Sequence, residues 1–592
     1  MLRSPHSGLI MTTLMIGVFS HAAHGQSRSF SSMLPESTAI YLEIAAADQL
    51  LDHPLRTKIQ SSDAFQKIWR RPDVLKMRGG LTLVEMTLGD NVENFVRKLN
   101  NGGLAVAFDR DRKGLILIAR TESRKWLDEY MDRLIQFARE NAKKNGKSNP
   151  VKERSYRDVM VYQVDQLIVA SFDEYLVVTN NSELGRTTVD RYLDNSKGGL
   201  VDSPHFQEVS AARKAKSDQV DVPREIAWSY LDVQMLRDAS MAKELLSGKS
   251  KDLSAELIFG GLLSTLHHTP AITGSLTLTP QAAALTFSSP HKTDWAGEER
   301  EYVFGPNGKG QALPTLTTSG TLASLSTFRD LSKLWLRAGD LFGERVNDQL
   351  AKADSTLTTL FSGRDFGKDI MGAVHPELRL VVAHQEFSSE RPIPAVRLPS
   401  FAIVGQLRDP SMMKVELRRI FQSLIGFLNV TGAMEGRPQL DLGTEAVGDV
   451  QLTTAEYVPE TDRKATQEVP IYFNFSPSIA FVTDTVIVSS TIGFSKELAK
   501  QVQGSSNPPA KTSNETGTNT LLEIDAKSLV RALDDNRNQI VSQNILKKGQ
   551  TKQEAEAEFQ TLLSVLTLFK SARVQLDFNE QASLRANLHF AE

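Results

Sequence analysis

The chain has 592 residues, 40% of them hydrophobic and 23% charged, a composition that excludes low-complexity disorder as its main state. Its 68 Lys and Arg against 71 Asp and Glu leave a net charge of −3, which removes any bulk electrostatic case for gripping nucleic acid. The absence of cysteine excludes disulfides, thiol nucleophiles, cysteine-bound zinc and iron–sulfur clusters, so folding must rest on core burial.

The N-terminal stretch reads as an export leader. Arg3 and His6 precede an uncharged apolar run from Leu9 to Phe19, and Ala23-His24-Gly25 offers small residues for cleavage. The run falls short of the roughly 20 residues needed to span a bilayer, which predicts a signal peptide over 1–25, a mature chain from about Gln26 and no transmembrane segment within it. The expected location is periplasmic or extracellular.

Downstream, a strand running into a short helix is expected at Tyr41–Ile44, Tyr230–Val233, Leu322–Leu325 and Leu521–Ile524. Leu104–Ala107 and Leu115–Ile118 flank Asp109-Arg110-Asp111-Arg112-Lys113-Gly114, and the turn residues between apolar strands predict a hairpin. Leu127, Tyr130, Met131, Leu134 and Ile135 recur at helical spacing, as do Met413, Leu417, Ile420, Phe421 and Leu424, so both segments are amphipathic helices. The stretch Ala142–Tyr156 reads as a polar excursion after the first of these. Ile168–Ala170 with Tyr175–Thr179, and Ser478–Ala480 with Thr485–Ser489, read as hairpins turning at Asp173-Glu174 and Thr483-Asp484, each followed by a capped helix. The loop Gly504–Thr518, with Asn507-Pro508-Pro509, is expected to be mobile.

Internal repetition organises these elements. Ala255–Leu266 matches Ala555–Leu566 at 7 of 12 positions with a constant offset of 300. Leu88–Ala107 parallels Ser362–Val381 at an offset of 274, and Leu115–Phe137 parallels Phe401–Leu424. A turn-rich stretch, Gly305–Gln311, precedes Leu313-Pro314, which echoes Leu34-Pro35. The expected fold class is therefore α+β, as two tandem copies of a mainly antiparallel sheet packed with amphipathic helices: repeats at 26–304 and 313–592 joined by a linker at 305–312.

Three segments carry a family resemblance. Leu34-Pro35 followed by Ala39-Ile40-Tyr41-Leu42, the run Gly363-Arg364-Asp365-Phe366-Gly367-Lys368-Asp369 before an apolar strand, and the Phe172–Thr179 hairpin resemble exported bacterial proteins grouped as domain of unknown function 3352. The resemblance implies a cell-envelope location and no assigned activity.

Chemical motifs are few. Asp365-Phe366-Gly367 lacks every companion of a kinase site and reads as a helix start, like its counterpart Asn91-Val92-Glu93. The Gly305–Gly310 stretch lacks the spacing of a nucleotide loop, and the Asp109–Gly114 turn lacks the third acid and distant glutamate of a calcium loop. His267 and His268 fall at a helix end, and His375 and His384, bracketing one strand, would lie roughly 30 Å apart. Glu298, Glu299 and Glu301 read as a solvated charged turn, Trp126 and Trp335 as core, and Asn429 and Asn514 as chance matches to a glycosylation acceptor. The basic run Lys143, Lys144, Lys147, Lys152, Arg154 and Arg157 reads as a solvated loop, with contact to an anionic polymer or membrane as the alternative.

No catalytic, cofactor-binding or metal-binding residue is nominated, and no cofactor is expected. The leading expectation is a non-catalytic binding or scaffolding module whose partner is an envelope protein, a polymer or an apolar ligand. The alternatives are a carrier of a lipid or similar ligand, and a hydrolase assembled from distant loops.

Overall fold

A computed structural model describes residues 28–45, 48–62, 89–144, 149–217, 223–241, 252–361, 363–387, 393–458, 469–504 and 517–592, with isolated positions between them. The signal-peptide expectation, Lys147, Asn514 and nearly all of the Gly504–Thr518 loop lie outside these residues. The fold is α+β, with antiparallel pairing between successive strands. Two compact units form: one from Met1–Lys243 with Thr269–Pro290, the other from Glu244–His268 with His291–Glu592.

The first unit contains β1 (Thr38–Ile44), β2 (Leu104–Asp109), β3 (Gly114–Arg120), β4 (Val151–Tyr156), β5 (Val159–Val164), β6 (Leu167–Phe172), β7 (Tyr175–Thr179), β8 (Glu225–Asp232), β9 (Ala271–Thr279) and β10 (Ala282–Pro290). Their antiparallel pairings give the order β10-β9-β8-β1-β2-β3-β7-β6-β5-β4. The helices that matter are α1 (Val92–Leu99), α2 (Arg124–Lys144), α3 (Ser182–Asp194) and α4 (Pro204–Ser217). One core places α1 and α2, through Phe95, Leu99, Leu127, Tyr130 and Met131, against Leu104, Ala119 and Leu176. Another places α3 and α4, through Leu184, Val189 and Phe206, against Ala170, Val177, Trp228 and Tyr230.

The second unit contains β11 (Thr321–Phe328), β12 (Glu377–Ala383), β13 (Ser400–Gln406), β14 (Leu440–Val447), β15 (Val450–Tyr457), β16 (Ser478–Val482), β17 (Thr485–Ser489), β18 (Thr518–Asp525), β19 (Phe569–Phe578) and β20 (Gln581–Phe590). They pair in the order β20-β19-β18-β11-β12-β13-β17-β16-β15-β14, the first unit's order with each strand number raised by ten. Its helices include α5 (Leu253–His268), α6 (Pro410–Met434), α7 (Ile492–Gly504) and α8 (Lys552–Leu566). Although α5 and α8 are the segments matched in sequence, α5 packs through Leu253, Leu257 and Leu262 with Tyr302, Val303 and Leu334, while α8 packs through Ala555 and Phe559 against Val541.

Local chemistry explains the shared turns and caps. Gly89 and Gly363 both sit at positive φ, +68° and +80°, where an L side chain would be strained. Two residues on, Asn91 and Asp365 cap the turns that follow by accepting from the backbone N–H groups of Asn94 and Lys368, each at 2.7 Å. The hairpins turn where expected, pairing Phe172 with Tyr175 and Val482 with Thr485, with Asp173 and Thr483 left-handed. The Asp109–Gly114 segment is also a hairpin turn, held by Arg112 N–H donating to Asp109 Oδ1 at 2.7 Å.

The stretch after α2 differs from expectation. Val151–Tyr156 is not an irregular polar excursion but strand β4, at the end of the first unit's series. Its alternation is hidden because it is nearly all polar, and a charged terminal strand resists further edge pairing.

Candidate functional site

A concavity in the first unit lies between α3 and one face of β4–β7. Register aligns that face into two cross-strand rows. Arg154, Val161, Ala170 and Val177 form one, and Lys152, Gln163, Ile168 and Thr179 the other. Above them α3 contributes Ser182, Gly185, Arg186 and Val189, spaced i, i+3, i+4, i+7 and so presented on one side of the helix. The cleft enclosed has a volume of about 110 Å³, several times what one water needs.

Helix α3 is fixed in register by its cap, since Asn181 Oδ1 accepts from the N–H of Glu183 at 3.0 Å and of Leu184 at 3.1 Å. At Gly185 a Cβ would stand 3.1 Å from Thr179 Cγ2, so the absent side chain lets the helix ride close to β7. The floor is aliphatic, from the half-buried Val161 and Ile168 with Ala170 and Val177 buried beside them, and Val189 of α3 is buried above.

The polar lining carries one sign of charge: Lys152, Arg154 and Arg186, all exposed, with no carboxylate among the lining residues. Four neighbouring acids are engaged elsewhere. Glu153 pairs with Arg139, and Glu183 with Arg112 at 3.1 Å. Asp190 accepts from Tyr156 Oη at 2.9 Å and from Arg157 Nη1 at 2.8 Å, while Asp194 takes the other arm of Arg157 at 2.5 Å. The hydrogen bond to Asp190 holds the Tyr156 phenol above its ordinary pKa, and Arg157 holds Asp194 below the usual carboxylate range. Arg186 lies over the Tyr156 ring, its guanidinium carbon 5.6 Å from the centroid.

The second unit's corresponding positions are arranged differently. Counting from the hairpin pairs Tyr156–Val159 and Val447–Val450, Glu445 stands where Arg154 stands and Leu452 where Val161 stands. Both α3 and α7 begin three residues after their strands, so Lys496 stands where Arg186 stands. Glu445 and Lys496 form an ion pair at 2.5 Å. Val161, Gln163 and Ile168 are half-buried in the first unit, whereas their counterparts Leu452, Thr454 and Ser478 are buried. One topology thus carries an open cleft with like charges in the first unit, and a covered floor with opposite charges paired in the second.

Of the basic run singled out from sequence, Lys152 and Arg154 reach this cleft and Arg157 braces its rim. The remaining candidates lie elsewhere. His268 Nδ1 is 3.0 Å from Ser264 O at the end of α5, with its ring stacked on Trp295. His375 donates its backbone N–H to Gln406 O, and His384 Nε2 lies 2.6 Å from Asp535 Oδ2. Glu298 pairs with Arg337 and Glu301 with Lys333. Trp126 stacks on Tyr130, Trp335 donates to Asp354 Oδ1 at 2.9 Å, and Asn429 bonds the backbone of Leu440. Among the described residues no three or more His, Asp or Glu converge as a metal-ligand set, and no helix is long and apolar enough to cross a membrane.

One buried histidine has no signature in the sequence. His291 is 5% exposed, stacked on Phe304 at 5.3 Å, and its Nε2 has no partner among the described residues. Burial holds its pKa below the ordinary histidine value. The unfolded chain therefore takes up a proton below about pH 6.5 that the folded chain refuses, so this site costs stability as pH falls through that range. His291→Phe is expected to narrow the gap in urea midpoint between pH 7.5 and pH 5.5, and an unchanged gap would show that the ring is accessible to protons in the folded state.

Comparison with known proteins adds little. No family model matches the chain, and no curated protein does. Among solved structures, crystal form III of TP0453 aligns at 10% identity over 45% of this chain and 81% of that one, with a TM-score of 0.24. Crystal form I of the same protein aligns at 11% identity over 45% and 80%, again with a TM-score of 0.24, far below that of a shared fold.

Proposed function

We propose that this is an exported, non-catalytic binding protein that holds the apolar part of a ligand in the cleft between α3 and β4–β7. The observation that carries this reading is the contrast between corresponding positions: Val161 and Ile168 only half-buried in the first unit's cleft, and a covered, ion-paired arrangement in the second. Val161 and Ile168 stay half-buried against the stabilisation of about 25 cal/mol per Å² that covering them would bring, which suggests use rather than accident.

The leader pattern of Arg3 to Gly25 supports export to the periplasm or beyond, and the segments that resemble the unknown-function family support an envelope role. Duplication of one ancestral unit is part of the proposal. Supporting it are the identical strand orders, the paired left-handed glycines at Gly89 and Gly363, and the caps at Asn91 and Asp365.

The test uses N-phenyl-1-naphthylamine, an uncharged apolar fluorophore, with the mature full-length chain. Its emission should rise on binding, and Gly185→Leu, which fills the space beneath α3, should weaken that binding by about tenfold or more while leaving the circular dichroism spectrum intact. No emission gain with the unaltered protein, or equal gain with the variant, removes the cleft as the binding site.

A further inference from the structure

Resting on that reading, we infer that the ligand is an anionic amphiphile, whose carboxylate or phosphate is gripped by Lys152, Arg154 and Arg186 while its hydrocarbon lies on the floor beneath α3. The geometry is that of a two-part site. Lys152 and Arg154 alternate on one strand, so their side chains leave the same face about 7 Å apart. Arg186 descends from the helix on the opposite wall. Among the described residues no carboxylate pairs with any of the three, and the neighbouring acids Glu153, Glu183, Asp190 and Asp194 are each engaged by another arginine.

Exposed cations on a terminal strand have a simpler role, protection against edge pairing. That role does not explain Arg186, which sits on a helix, nor why Glu153, on the opposite face of the same strand, is neutralised while the cleft-facing pair is not. It also does not explain the exchange of sign in the second unit, where Glu445 and Lys496 replace the two arginines and close on each other at 2.5 Å. Like charges across an unfilled cleft are mildly repulsive without an anion between them, and the arginine fork suits both carboxylate and phosphate oxygens. The half-buried Val161 and Ile168 directly below favour an anion bearing a hydrocarbon tail.

The experiment measures displacement of N-phenyl-1-naphthylamine from the full-length mature chain by decanoate, decyl phosphate, 1-decanol and inorganic phosphate. Decanoate or decyl phosphate is expected to displace the probe at concentrations about tenfold or more below 1-decanol, with inorganic phosphate ineffective. Arg154→Glu, which recreates the second unit's pairing by facing Arg186, is expected to abolish that advantage while its thermal midpoint holds or rises. Arg154→Gln should show the same loss in part. Equal displacement by decanol and decanoate overturns the anionic headgroup and leaves the apolar site standing. Displacement by inorganic phosphate as effective as by decyl phosphate overturns the amphiphile. A probe that never binds fails the apolar reading itself. An undiminished decanoate advantage in Arg154→Glu removes this cluster as the anion's seat.

Discussion

Replacing Arg300 with methionine is expected to destabilise the second unit by about 3–5 kcal/mol, the usual consequence of stripping a buried charge of its partner. Glu256 is fully buried on α5, and Arg300 meets it with both arms of its fork, Nε to Oε1 at 2.9 Å and Nη2 to Oε2 at 3.1 Å. Tyr302 Oη completes the shell, its single O–H shared between the Glu256 carbonyl at 2.8 Å and Oε1 at 3.0 Å, and burial with that neighbouring charge pushes the phenol well above its ordinary pKa. The packing admits no substitute, because a Cβ at Gly260 would come within 2.3 Å of the tyrosine oxygen. Methionine in place of Arg300 leaves the buried carboxylate without its ion-pair partner, with only the Tyr302 hydroxyl bonded to it and the charge of Arg329 nearby. Replacing Glu256 by leucine as well should recover most of the loss, since well-packed apolar residues commonly match a buried ion pair. Urea unfolding read by near-ultraviolet ellipticity compares the three proteins. A single variant within about 1 kcal/mol of the parent would mean that solvent reaches the carboxylate.

The hairpins and caps are legible in the amino-acid sequence because they obey local rules. The turns at Asp173 and Thr483, the helix starts at Asn91 and Asp365, and the amphipathic faces of α2 and α6 each depend on residues within a few positions of one another. The cleft is not legible in this way, and the reason is distance along the chain. Its walls are Lys152 and Arg154 on one side and Arg186 on the other, more than thirty residues apart, and β4 shows no apolar alternation to mark it as a strand. A signal is nevertheless present. Extending the matched hairpins one strand outward sets Arg154 against Glu445, and extending them into the next helix sets Arg186 against Lys496. The signs at this pair of positions are alike in the first unit and opposite in the second, where they meet as an ion pair. The Glu256–Arg300 pair is hidden for the same reason, its members standing 44 residues apart on separate elements. The expectation that Glu298 to Glu301 form a charged turn passes over Arg300 within it, because burial cannot be seen in composition.

Phe206→Ala is expected to cost the first unit about 3–5 kcal/mol, and it separates stability from binding. Phe206, carried on α4, is 5% exposed and meets three rings edge-on: Tyr41 at 5.8 Å, Trp228 at 5.7 Å and Tyr230 at 5.1 Å. Arg213, two turns further along α4, covers Trp228 at 4.6 Å and pairs with Glu225 at 2.6 Å and Glu43 at 3.2 Å, so the helix cannot readily settle into the space an alanine would leave. A persisting cavity is what places such truncations at the upper end of their range. The same core continues to Ala170 and Val177 beneath α3 and to Val189 on it, yet none of Phe206's ring contacts touches the cleft. A domain with 5–15 kcal/mol of stability remains mostly folded after a loss of this size unless it starts at the bottom of that range. The variant should therefore show a markedly lower urea midpoint by tryptophan fluorescence while still binding N-phenyl-1-naphthylamine at 25 °C, whereas Gly185→Leu should lose the probe. If both variants lost probe binding in proportion to their lost stability, the cleft would be a feature of packing and not a site.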